Sequence, residues 1–405
     1  MNYKLNLREV TYALSTALDF VGIDDIFHGK RVAYMAAEVL KELKVPQEKI
    51  DYIIYAGMLH DCGVSSTDVH SHLVTELDWD NAQVHAIAGE ELLNKVSVFQ
   101  KYATIVRYHH THWDALPTHL TEEEKELSNL IYLVDRVDAL RAQLKTSSSQ
   151  TFETIRETIQ KYRGTMFSPK YADTFLKISQ HPSFWFYLEA DASEEYFTEW
   201  IKHGINEFFN FESLKEISLM FSAVVDAKSE FTSEHSMGVS HLARYIAELM
   251  ELPLDVCEKI ELAGLLHDLG KLRIADEILN KPAKLNVDER LKMNRHGFDS
   301  YIILRKIEGF KEIAYIASLH HETLDAQGYP YNLSKDKIPL EARIITVADI
   351  FQALVQNRPY RGGLDKDEAF AILIDMQKKG KLDATVMKFL EEHLEVCYQK
   401  ALAKS

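Results

Sequence analysis

The chain has 405 residues, 46% hydrophobic and 10% aromatic, with a formal net charge of −16. One core rarely grows to that length, so two domains are expected, and the acidity argues against a protein that tracks nucleic-acid polymers through many Lys and Arg contacts. No apolar run approaches the ~20 residues of a membrane span, and Arg8, Glu9 and Asp19 break any signal-peptide core, so a cytoplasmic protein with no membrane partner is expected.

Helical periodicity runs through nearly the whole chain, and no alternating run bounded by turn residues stands out, so the expected fold class is all-α. In chain order, "EKIDYIIYAGMLHDCG" follows Pro46 and reads as a helix stopping at Gly63. "KTSSSQ" (145–150) reads as a polar loop, and the aromatic-rich stretch from His181 to Phe211 as a packing surface joining two halves. "DVCEKIELAGLLHD" follows Pro253, places Asp255 three residues before Glu258 as a capping box, and stops at Gly270. Cys62, Cys257 and Cys397, odd in number and far apart, read as reduced thiols in packed positions.

The histidines reveal an internal duplication. His28, His60-Asp61, His85, His109-His110 and Asp135 are answered, in the same order, by His235, His267-Asp268, His296, His320-His321 and Asp349. The offsets are 207, 207, 211, 211 and 214, a drift that small loop insertions produce and that chance similarity between amphipathic helices does not. The expected division is 1–205 and 206–405.

Each set mixes imidazole and carboxylate, which suits divalent Fe, Mn, Co, Ni or Zn, and the lack of thiolate ligands argues against a structural zinc site. Seven ligands are too many for one ion. A shared carboxylate can bridge two ions about 3.5–4 Å apart, the arrangement that serves phosphoryl displacement. Asp268 is the expected bridge, with His235, His267 and Asp349 completing one ion and His296, His320 and His321 the other. A water acidified between them would be the nucleophile.

"HDLGK", "HHETLDAQGYP" and "ADIFQALVQNRPYR" together resemble the HD-GYP family, bacterial phosphodiesterases that cleave cyclic dinucleotides; the match covers roughly residues 215–400. The resemblance implies that His235, His267, Asp268, His296, His320, His321 and Asp349 are the ligands, in agreement with the spacing. It also implies that Asp268 and Lys271 act at the phosphate, that Tyr329 belongs to a loop covering the site, and that Arg358 and Arg361 grip the far side of the substrate. With Arg343, these cations form the basic cluster a dianionic ligand needs in an acidic protein. The expected function is metal-dependent hydrolysis of a 3′–5′ phosphodiester to a linear, 5′-phosphorylated dinucleotide in second-messenger signalling. The tandem arrangement is similar to the Vibrio phosphodiesterases that degrade 3′3′-cyclic GMP-AMP, which makes that ligand a contender beside cyclic di-GMP.

Four departures from the family pattern stand out. Ala326 replaces a glycine two positions before the GYP glycine, Gly238 replaces an arginine, and Gln352 replaces an aspartate. Phe231 stands where some members carry a glutamate for a third metal, so two ions are expected.

The first half keeps the ligand set His28, His60, Asp61, His85, His109, His110 and Asp135 and loses what surrounds it. Val64 replaces the phosphate lysine, "HHTHWDALP" has no GYP loop, and nothing after Asp135 matches RPYR, although Arg31 survives after the first histidine. This reads as a degenerate copy, a regulatory or supporting domain beside a catalytic one. Two alternatives are a nucleotide phosphohydrolase working through the first half, with His112 and Trp113 at the nucleotide, and a non-catalytic cyclic-dinucleotide sensor.

Overall fold

The structure is a computed structural model that describes residues 2–21, 27–64, 66, 69, 71–73, 76–79, 81–145, 148–228, 233–357 and 362–402. The chain forms two compact units, Asn6–Asn206 and Glu207–Ser405, the second completed by Met1–Leu5. Those first residues therefore sit with the second unit, whereas a division at 205/206 assigns them to the first. The reason is a two-stranded pairing of Asn2–Asn6 with Asn206–Asn210, reinforced where the Tyr3 hydroxyl donates to Glu258 Oε2 at 2.6 Å. Apart from this small sheet and an isolated bridge between Arg163 and Phe167, the described residues form helices and loops, and the fold is all-α in class. Asn2–Asn6 does alternate polar and apolar residues but runs straight into the helix Leu7–Val21 with no neighbouring hairpin, and Asn206–Asn210 does not alternate.

Each unit is built on the same succession of helices. The first has His28–Glu42, Gln47–Leu59, Ala82–Leu93, Ala103–Tyr108 and Glu122–Leu144. The second has Ser233–Leu249, Leu254–Leu266, His296–Leu304, Lys311–Ser318 and Leu340–Val355. Gln47–Leu59 and Leu254–Leu266 are the central helices, and they begin at Pro46 and Pro253, whose φ of −56° and −53° leads directly into a helical turn. The capping box expected at Asp255 does not form: the helix starts at the proline, and Glu258 takes the Tyr3 hydroxyl instead. Both helices also stop a turn before the expected glycines, at Leu59 and Leu266. The histidine that follows each one folds back, its Nδ1 2.7 Å from the Gly57 or Gly264 carbonyl, and so satisfies a carbonyl that a helix end leaves orphaned.

The aromatic-rich segment builds the core of the first unit. Trp185 stacks on Phe152 with centroids 4.2 Å apart, Phe184 meets Phe175 and Tyr34, and Phe197 packs on Tyr12 and Trp200. All three cysteines are free and buried. No helix among the described residues is long and apolar enough to cross a membrane.

In both units the central helix lies directly against the first-ligand helix. A Cβ on Gly57 would stand 2.8 Å from Ala33 Cα, and one on Gly264 would stand 2.9 Å from Ser240 Cα. Side chains there must push the two backbones apart, which costs about 1–3 kcal/mol. Gly264→Val is therefore expected to lower the melting midpoint by several degrees in scanning calorimetry, at roughly 2–4 °C per kcal/mol for a unit of this size. An unchanged midpoint would contradict the close packing.

Candidate metal centre

The helix ends and turns of the second unit bring every expected ligand to one place. His267 and Asp268 follow the central helix, His235 lies in the first turn of Ser233–Leu249, His296 opens its own helix, His320 and His321 follow Lys311–Ser318, and Asp349 sits within Leu340–Val355. Asp268 stands at the middle. Its Oδ2 is 3.2 Å from His267 Nε2 and 3.6 Å from His235 Nε2, while its Oδ1 is 3.5 Å from His296 Nε2 and 3.9 Å from His320 Nε2. Asp349 Oδ1 lies 3.2 Å from His235 Nε2, and its Oδ2 lies 3.7 Å from His321 Nδ1. One carboxylate thus faces two histidine groups, His235 with His267 and His296 with His320 and His321, each close enough to hold an ion.

The donor chemistry tests whether a cation fits. Nδ1 of His267, His296 and His320 lies 2.7 Å from the carbonyls of Gly264, Met293 and Ala317, which only accept, so each Nδ1 carries the proton. The Nε2 lone pairs of His296 and His320 then face one another at 3.0 Å, and His267 Nε2 lies 3.2 Å from His235 Nε2. Lone pairs held this close repel unless a cation sits among them. The residues fit a metal. Burial pushes His296 down to about 4 and His321 to about 3, so both rings are neutral and ready to coordinate. Burial opposes ionisation of Asp268, yet His267 and Lys271 hold it well below the usual carboxylate range.

Around this cluster the expected residues part company. Lys271 Nζ is 2.6 Å from Asp268 Oδ2, at the edge of the site. The Tyr329 ring lies 4.6 Å from that of His321, so the GYP loop does reach the cluster. Ala326 in that loop has φ of 58°, the left-handed conformation that costs a residue with a Cβ about 1 kcal/mol or more. Glu322 pins the loop, accepting from the Tyr331 and Leu333 amides at 2.7 and 2.9 Å; sequence reasoning passed over it although it follows the histidine pair directly. Arg343 is a correction to the expected substrate contacts. Its guanidinium donates to Asp383 at 2.9 Å and to the Ile338 and Lys335 carbonyls at 2.8 and 2.7 Å, so it is spent on holding the fold. Arg358, Arg361 and Phe231 lie outside the described residues.

The first unit repeats the cage. Asp61 Oδ2 lies 3.4 Å from His28 and 3.3 Å from His60, Asp61 Oδ1 lies 3.3 Å from His85 and 3.9 Å from His109, and Asp135 Oδ1 lies 3.3 Å from His28. His110 Nε2 is buried without a hydrogen-bond partner among the described residues, 3.8 Å from Asp135 Oδ2. The surroundings differ. Val64 is buried where Lys271 stands in the second unit, and Arg136, also buried, donates to Asp135 Oδ2 at 2.7 Å and to the Leu73 and Glu76 carbonyls. His112 pairs with Asp78 at 3.0 Å, and the Trp113 amide donates to the Met166 carbonyl at 3.0 Å, so both are engaged locally.

Two family profiles, each described as an HD domain, match the chain, one over residues 26–143 and the other over residues 219–386. The chain is 34% identical to the 3′3′-cGAMP-specific phosphodiesterase 1 of Vibrio cholerae, in an alignment that covers 100% of this chain and 96% of that one. It is 32% identical to the V. cholerae 3′3′-cGAMP-specific phosphodiesterase 3, over 72% of this chain and 63% of the relative. A Thermotoga maritima cyclic di-GMP phosphodiesterase is 34% identical over 56% of this chain and 58% of its own. The crystal structure of a cyclic GMP-AMP specific phosphodiesterase of V. cholerae, V-cGAP3, has the same fold, with a TM-score of 0.66 at 23% identity over 98% of this chain and 99% of that one. This is an HD-domain protein, and HD domains are metal-dependent. The chain belongs, more closely, to the HD-domain cyclic-dinucleotide phosphodiesterase family.

A cation present at a hundred times its dissociation constant stabilises a fold by about 2.7 kcal/mol. Stripping the protein with a chelator is therefore expected to lower its melting midpoint by about 5–10 °C, and adding back Mn²⁺ to restore it. A midpoint indifferent to chelation would mean that the clusters hold no ion.

Proposed function

We propose that the second unit hydrolyses a 3′–5′ phosphodiester of a cyclic dinucleotide, with 3′3′-cGAMP preferred over cyclic di-GMP, to a linear dinucleotide bearing a 5′ phosphate. The observation that carries this reading is the position of Asp268, shared between two histidine groups and 2.6 Å from the ammonium of Lys271. The preference is supported by the relative that aligns over the whole length, whose name assigns it to 3′3′-cGAMP. In this reading His235, His267 and Asp349 would hold one divalent ion, Fe, Mn, Ni or a similar metal, and His296, His320 and His321 a second, with Asp268 available to both. Ions bound there supply Lewis acidity toward phosphorus and acidify water. Lys271, whose Nζ lies 2.6 Å from Asp268 Oδ2, would place its charge against a phosphate oxygen as the bond to the 3′ oxygen breaks. Tyr329 closes one side of the site, and Arg358 and Arg361 remain the proposed grip on the rest of the ligand.

The first unit is proposed to support or regulate the second. Its Arg136 occupies the Asp135 oxygen on the His110 side, and Val64 offers a phosphate nothing. A second reading, a hydrolytic centre acting on another nucleotide, is favoured by the completeness of the cage around Asp61.

Product chromatography from 3′3′-cGAMP and cyclic di-GMP separates these. Asp268→Ala is expected to lower turnover on the order of a thousandfold, the equivalent of several kcal/mol of transition-state stabilisation, while Asp61→Ala retains a substantial part. Equal losses, or loss only in Asp61→Ala, would overturn the assignment of catalysis to the second unit.

A further inference from the structure

In the first unit a charged pair stands behind His28. Its Nδ1 is 2.8 Å from Asp138 Oδ2, and Arg31 grips both oxygens of that carboxylate, Nε at 2.7 Å and Nη2 at 2.8 Å. The residues that answer Arg31 and Asp138 in the second unit are Gly238 and Gln352, at the offsets of 207 and 214 that relate the neighbouring ligands. The two departures from the family pattern are therefore one departure. Losing either charge alone would strand its partner in the interior; losing both keeps the site neutral.

Gln352 is 1% exposed, with Oε1 2.5 Å from His235 Nδ1 and Nε2 3.4 Å from the Ala401 carbonyl. A Cβ on Gly238 would stand 2.3 Å from the Ala401 carbonyl oxygen and 2.9 Å from Gln352 Cγ and Nε2, so only glycine lets these groups meet. We infer that Gln352 is a positioning residue of the second centre, and that it sets the tautomer and orientation of His235 from the end of the last helix, Leu394–Ala401. A carbonyl only accepts, so the Gln352 amide turns its NH₂ to Ala401 and its oxygen to His235. That oxygen needs a donor, which puts the His235 proton on Nδ1 and leaves the Nε2 lone pair facing His267 and Asp349. Outer partners of this kind typically change metal affinity about 10- to 100-fold when removed.

The inference rests on the second cluster holding divalent metal. Cobalt(II) titration followed by visible absorption tests it, using an Asp61→Ala parent, in which the first cage loses the carboxylate facing both of its histidine groups. Gln352→Leu is expected to weaken cobalt binding about 10- to 100-fold, and Gln352→Glu, which keeps an oxygen for Nδ1, to bind close to the parent. Cobalt bound by Gln352→Leu as tightly as by the parent overturns the role given to Gln352 and leaves the metal reading standing. A glutamate variant as weak as the leucine variant also overturns it, because packing against Ala401 would then be what matters. A parent that binds no cobalt removes the metal reading and this inference together. Nitrogen-15 shifts of His235 in the metal-free wild type give a second readout that needs no substitution: a proton on Nδ1 supports the assignment, and a proton on Nε2 overturns it.

Discussion

The constraint on which the site depends is the anchoring of imidazoles by backbone carbonyls. Three ligand histidines of the second unit lie 2.7 Å from the carbonyl three residues earlier, and His60 does the same in the first. Helix ends leave such carbonyls free, so the end of a helix fixes both the ring and its tautomer at no extra structural cost. Once the protons are committed to Nδ1, the Nε2 lone pairs have only each other and two carboxylates to face. The close approach of the chain behind them is equally strict. A Cβ on Gly270 would lie 2.0 Å from the His296 carbonyl oxygen, and one on Gly63 2.1 Å from that of His85. The glycine of the His-Asp motif is thus what lets the next ligand helix come near.

Duplication explains why two such cages exist, and divergence explains why they are not equivalent. The inner geometry is largely kept, because it follows from helix ends and backbone contacts; His85 is the exception, its Nδ1 lacking among the described residues the carbonyl partner that His296 has. The outer contacts have changed. Valine stands at the edge of the first cage where the second has lysine, a buried arginine holds an oxygen of the first cage's distant aspartate, and the GYP motif is found only in the second half of the sequence. Cation binding is a property of the inner geometry, whereas chemistry on a phosphodiester needs the outer one.

How much of this the sequence carried depended on whether a residue repeats. The ligand set was legible because seven positions recur at slowly drifting offsets. The Arg31–Asp138 and Gly238–Gln352 correspondence obeys the same offsets and could have been read; what the sequence could not show was that each pair touches. Arg343 looked like a phosphate ligand because its type is right, but Asp383, forty residues on, claims it. The opening strand escaped notice because its partner lies some two hundred residues away. The left-handed backbone at Ala326 followed from the glycine that usually stands there, and the helix ends were misplaced by a turn because the histidines, not the glycines, terminate them.

The shared position of Asp268 is most directly tested by electron paramagnetic resonance of the Mn²⁺-loaded Asp61→Ala protein. Two ions bridged by one carboxylate at about 3.5–4 Å are exchange-coupled and give a multiline signal distinct from that of separate ions. The isolated six-line spectrum of mononuclear manganese, at any loading, would contradict a paired centre.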